Sequence, residues 1–249
     1  MTQRPVPDGA SPRSGGTGPA PRLRALFPHV PEEDLIRLQH YTAGQLDSVW
    51  GLGERPAVLV IDMTTGFVEH PRASTFVPTA RACIQRIQEL LAVTRGAGFP
   101  TIYTKGVPFR HEAEAGAWLR GRGMEVLASS NAPSEREIVA DLEPRDGDLV
   151  VIKSKHSAFF GTPLHAMLNY LHVDSLIMTG TTTSGCIRAT VNDGFALNYR
   201  MVVPIECVAD RSGISHEIEL FDMAAKYADV LPLAELLDLL ASRDQPTAG

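Results

Sequence analysis

Cysteine is scarce in this chain of 249 residues: Cys83, Cys186 and Cys207 are all it holds. Three is an odd number and no two stand in CxxC spacing. A disulfide framework is thereby excluded, and each is read as a free thiol. Basic charge is short as well. Lys and Arg number 23 against 29 Asp and Glu, leaving a net charge of −6 and a pI near 5.7. That balance argues against nucleic acid or an anionic membrane as the main partner, because both require clustered cations. No run approaches the roughly 20 apolar residues that span a bilayer. The first residues also lack the apolar centre of a signal peptide, so a cytoplasmic protein is expected. There is no internal repeat.

Apolar residues are plentiful, at 44% of the chain, enough for the core of one ordinary globular domain with appendages. Residues 1–21 are rich in Pro, Gly and Ser and bury too little to offset chain entropy, so a disordered tail is expected there. Residues 22–50 regain apolar content. In "VPEEDLIRL" Pro31 is followed by three acids, a helix-start signal, and the segment is read as an arm with one short helix, suited to contact with another subunit. From 51 to 243 the pattern is regular, and 244–249 is read as a fraying tail. The apolar runs 57–61, 101–104, 149–152, 175–179 and 201–205 are rich in β-branched residues, as in strands covered on both faces. Helical spacing fills 80–98, 134–144, 162–173, 184–199 and 231–243. This alternation predicts an α/β fold, a Rossmann-like three-layer α/β/α arrangement around a mostly parallel sheet of about six strands. Residues 106–133 carry little periodicity, which marks a functional loop.

Ligands of such sheets bind beyond the carboxyl ends of the strands. Asp62 follows one apolar run, Lys153 another, and Cys186 lies a few residues past a third, in "TGTTTSGCIRAT", at an expected helix start. A thiolate attacks carbonyl carbon, and a helix N-terminus with an adjacent ammonium favours the thiolate. Asp62 can take the thiol proton and return it to a leaving amine, while amides of the short turn stabilise an oxyanion. Singly, each residue has a plainer reading: a turn former, a solvated lysine, a packed thiol.

Three stretches, "ERPAVLVIDMTTGFVEHP", "VIKSKHSAFFGTPLHAML" and "VDSLIMTGTTTSGCIRATVNDGFALNYRMVVPIECVADRS", together resemble the cysteine hydrolases of the isochorismatase-like superfamily. Within it, "TSGC", the later "DR" and "FDMAAKYADV" look most like the branch of N-carbamoylsarcosine amidohydrolase and its relatives. The resemblance implies catalytic Asp62, Lys153 and Cys186, with Lys155 as the lesser candidate for the lysine. It also implies a cis peptide between Thr181 and Thr182, an oxyanion hole from the N–H groups of Thr182 and Cys186, and substrate contacts from Thr182 and Arg211, the latter on a carboxylate. The reaction implied is C–N cleavage of a small amide or N-carbamoyl compound through a thioester, releasing ammonia or an amine. A homo-oligomer, tetramer or dimer, is implied too.

No cofactor and no catalytic metal are expected, since "MTTGFVEHP" lacks the Asp-x-His pair of the family's metal-dependent members and His70 reads as a loop residue. His156 invites a Cys/His reading, which ranks well below the lysine one. Cys83 reads as core and Cys207 as packing. Lys105, Phe109, Arg110 and Trp118 either line the substrate mouth or are ordinary surface residues, and Arg188 is expected to face outward or toward another subunit. The competing functional readings are a maleamate- or nicotinamide-type amidase and a non-catalytic oligomeric binding module of the same fold.

Overall fold

Every residue of Pro56–Ile61 (β1) and Ser175–Thr181 (β4) is buried, which requires helices over both faces of the sheet they form. β1 pairs with Thr101–Gly106 (β2) on one side and β4 on the other, and Leu149–Lys153 (β3) adds beyond β2. Past β4 come Arg200–Pro204 (β5) and Asp229–Leu231 (β7), while the two-residue Val208–Ala209 (β6) also pairs with β4. The sheet has seven strands in the order β3-β2-β1-β4-β5-β7 with β6 off this path, and all its pairings are parallel. The chain thus builds outward from β1 in one direction, then crosses back to lay β4 on its other side. The structure, a computed structural model, describes residues 19–41, 49–73, 75–119 and 133–243. The expected tails lie outside these residues up to residue 18 and from 244 on, as do residues 120–132 of the long loop.

Helix Ala80–Gly96 shows how the pattern becomes packing. Its buried residues, Ala80, Cys83, Ile84, Ile87, Leu90, Leu91 and Thr94, recur at three- and four-residue steps and so form one stripe. Each large aliphatic side chain buried this way contributes roughly 1.5–3 kcal/mol. This helix packs with Leu233–Ala241, and Arg188–Ala196 packs with Gly213–Lys226.

Several elements differ from expectation. The segment "SEREIVADLEP" forms two 3-10 turns, Pro133–Arg136 and Ala140–Leu142, in place of a helix. Its backbone is taken by the loop after β1: Thr65 N–H donates to Glu137 O, Val139 N–H to Met63 O, and Ile138 bridges Thr64. β3 is not covered on both faces, because it is an edge strand with Val150 and Ile152 exposed. β6 and β7 are too short to carry a periodic signal. The N-terminal segment, a separate unit over residues 1–49, has two helices where one was expected, Pro21–Leu26 and Glu32–Tyr41. Proline opens the first of them.

Candidate active site

Register brings the strand ends level. Ile61 of β1 lies beside Gly180 of β4, and Gly106 of β2 beside Lys153 of β3. Asp62 therefore leaves β1 next to Thr181, and Lys153 is the last residue of its strand. Gly180 makes the closeness possible: its φ is +106°, and a Cβ there would collide with the Ile61 backbone. After β4 the peptide between Thr181 and Thr182 is cis, as the resemblance implied. The chain then makes a π-helical turn, Thr183–Ile187, before helix Arg188–Ala196 begins. Cys186 thus sits in the turn that feeds the helix, two residues ahead of its first residue Arg188, where the sequence placed it at the helix start itself. Gly185 lets this turn tighten, since any Cβ would press into the Thr182 hydroxyl.

The three candidate side chains meet. Lys153 Nζ lies 2.7 Å from Asp62 Oδ2, donates to Cys186 Sγ at 3.3 Å, and donates to the Lys155 carbonyl at 3.1 Å. Three partners match the three protons of an ammonium. Asp62, Lys153 and Cys186 are 4%, 6% and 7% exposed, so their charges interact at low dielectric. Burial works against the Lys153 ammonium, yet the Asp62 carboxylate and Cys186 outweigh it and hold the lysine above its ordinary range.

Cys186 departs from expectation. Burial, first, and then the Asp62 carboxylate push the thiol up to about 12, and Lys153 offsets only part of this. The helix-start argument omitted desolvation, and at this depth desolvation dominates. The balance at this depth favours the protonated thiol.

Threonines frame the site. Thr104 Oγ1 donates to Asp62 Oδ1 at 2.7 Å and accepts the Asp62 N–H at 3.1 Å. Thr190 Oγ1 donates to Cys186 O and accepts the Ala158 N–H. Asp210 accepts the N–H groups of Ser184 and Arg211, and Thr183 Oγ1 lies 2.8 Å from His216 Nδ1. Burial lowers the pKa of His216, against the charges of Asp210 and Glu217. None of Thr104, Thr190, Asp210 and His216 was singled out from sequence. Thr104 lies inside β2, the strand beside β1, where a threonine carries no signal of its own.

The remaining expectations fall as follows. Arg211 donates from Nε to Phe76 O and from Nη2 to Thr75 O, so part of its guanidinium fastens the loop before helix Ala80–Gly96. Lys155, the lesser lysine, donates to Glu114 O. His156 is exposed and near Gly185. The ring is nonetheless partly covered, and that desolvation, then Lys153, lowers its pKa, with Asp62 opposing. Cys83 and Cys207 are buried, and Cys83 donates to the Val208 carbonyl. Lys105 pairs with Glu137 and Arg188 with Glu219, while Trp118's side chain lies outside the described residues. Among the described residues no three His, Cys, Asp or Glu side chains gather as metal ligands.

The sequence model of the isochorismatase domain matches residues 56–235. The chain belongs to the isochorismatase family. It is 34% identical over 200 residues to maleamate amidohydrolase of Pseudomonas putida, covering 77% of this chain and 92% of that one. With N-carbamoylsarcosine amidase of an Arthrobacter species it is 33% identical over 185 residues, covering 72% and 69%. The crystal structure of a cysteine hydrolase from Pseudomonas syringae pv. phaseolicola superposes with a TM-score of 0.70 at 26% identity, over 76% of this chain and 93% of that chain.

Proposed function

We propose that this chain is a cysteine amidohydrolase that cleaves the C–N bond of a small amide or N-carbamoyl compound bearing a carboxylate. The observation that carries the reading is the contact of Asp62, Lys153 and Cys186 beyond the carboxyl ends of three strands. It is supported by relatives named for maleamate and for N-carbamoylsarcosine, compounds that pair one amide or ureido carbonyl with one carboxylate.

In this reading Asp62 takes the Cys186 proton as sulfur attacks the carbonyl carbon. Burial and the Asp62 charge disfavour a free thiolate, so in this reading proton transfer accompanies attack. The N–H groups of Thr182 and Cys186 receive the oxyanion. Asp62 then delivers the proton to the departing nitrogen, the C–N bond breaks, and a thioester remains. Water attacks the thioester with Asp62 again as base, and the thiol is restored. Lys153 keeps the carboxylate and sulfur paired with a fixed cation throughout. Arg211 has Nη donors beyond those on the 75–76 carbonyls, and these take the substrate carboxylate, with Thr182 beside it.

The test is ammonia release over a panel of maleamate, N-carbamoyl amino acids, ureidoacrylate, biuret and nicotinamide. Turnover is expected on a carboxylate-bearing member, with Cys186→Ala lowering it by at least about 1,000-fold and leaving the circular dichroism spectrum intact. Ammonia release persisting in Cys186→Ala would refute the mechanism. No turnover across the panel, with Cys186 intact, would favour a binding module.

A further inference from the structure

The side chain of Thr104 is spent entirely on Asp62. Thr104 is 0% exposed, and its hydroxyl meets both the N–H and the carboxylate of the same residue. The direction of these bonds is fixed: a backbone N–H can only donate, so the hydroxyl oxygen accepts there and its single proton goes to Oδ1. Asp62 has φ +50°, in the left-handed region that non-glycine residues seldom occupy. Its carbonyl is held in turn by Thr181 Oγ1 at 3.2 Å and by Thr64 N–H at 2.8 Å. The peptide groups on either side of Asp62 are thus anchored by threonine hydroxyls from β2 and β4, and such over-determination is what keeps an unfavourable backbone in place.

We propose that Thr104 is a positioning residue: it clamps Oδ1 and the backbone of Asp62 so that Oδ2 alone faces Lys153 and Cys186. The inference rests on Asp62 acting as the base in the proposed function. With Oδ1 occupied, only one carboxylate oxygen is presented to the ammonium and the thiol, and its lone pairs point where the proton must travel. The other groups facing Asp62 are Lys153 from β3, Cys186 from the turn after β4, His156 from the loop after β3, and Thr181 from β4.

Thr104→Val keeps the shape and removes the hydroxyl. It is expected to lower kcat by about 10–100-fold with KM changed by less than about twofold, since orientation of the base is lost and substrate contacts are not. Thr104→Ser should restore kcat. A Thr104→Val enzyme with lowered melting temperature but parental kcat would overturn the inference, as would a serine variant no better than valine. If valine is not tolerated, Thr104→Ala is measured below its melting temperature by the same criteria. Asp62→Asn separates the two levels: an active Asp62→Asn enzyme refutes the proposed function itself. An inactive one, beside an unaffected Thr104→Val, refutes only the role of Thr104.

Discussion

Asp62 acts on Cys186 in two opposed ways. Its carboxylate accepts the thiol proton during turnover in the proposed mechanism, and in the resting protein the same charge holds that proton in place. Removing it leaves Lys153 as the sole neighbouring charge that lowers the thiol. Asp62→Asn is therefore expected to lose turnover and yet be alkylated by iodoacetamide near neutral pH faster than the parent, by about tenfold or more. Equal or slower alkylation would show that burial alone keeps Cys186 protonated. That these three side chains would meet was readable from sequence, because each closes or follows an apolar run at the same edge of the sheet. Their charge state was not, because desolvation depends on how deep a side chain lies, and no spacing encodes depth. Thr104 was passed over for a different reason: threonine is an ordinary strand residue, and only its partner distinguishes it.

At the scale of elements, the approach of β4 to β1 depends on a residue without a side chain. Gly180→Ala would require a Cβ against the Ile61 backbone at φ +106°. A loss of about 2–4 kcal/mol in stability by urea unfolding is expected, together with reduced activity as Asp62 and the Cys186 turn move apart. Parental stability in this variant would mean that β4 can shift at no cost. The five longer strands and the helices 80–96, 164–170 and 233–241 were legible because their apolar spacing is sustained. The 134–144 segment misled, since its helical spacing was overridden by backbone bonds to residues 63 and 65. β7 spans only Asp229–Leu231, fewer residues than two periods of alternation.

For the molecule as a whole, all three thiols are buried and all are raised, Cys83 to about 11 and Cys186 to about 12, with Cys207 higher by burial and the nearby Cys83 and Glu206. In the unfolded chain they ionise near pH 8.5, whereas the folded chain retains their protons. The unfolded state then binds fewer protons, so stability is fully present below about pH 8.5 and declines as pH rises toward the folded values. Melting temperature under reducing conditions should fall progressively from about pH 8 to about pH 10. Cys83→Ala should show a shallower fall from a lower start, and an unchanged slope would assign the decline to other groups. The domain's strand alternation was open to reading over residues 56–231. The strand order was not, because nothing local says that β4 returns to the side of β1 opposite β2. That return has a consequence for synthesis. Translation delivers Asp62 and Lys153 well before Cys186, and domains tend to fold as their segments emerge. Until β4 docks against β1, the nascent chain holds an acid and a cation without their sulfur. The three side chains of the site thus come together only once β4 has docked against β1, whatever has folded before it.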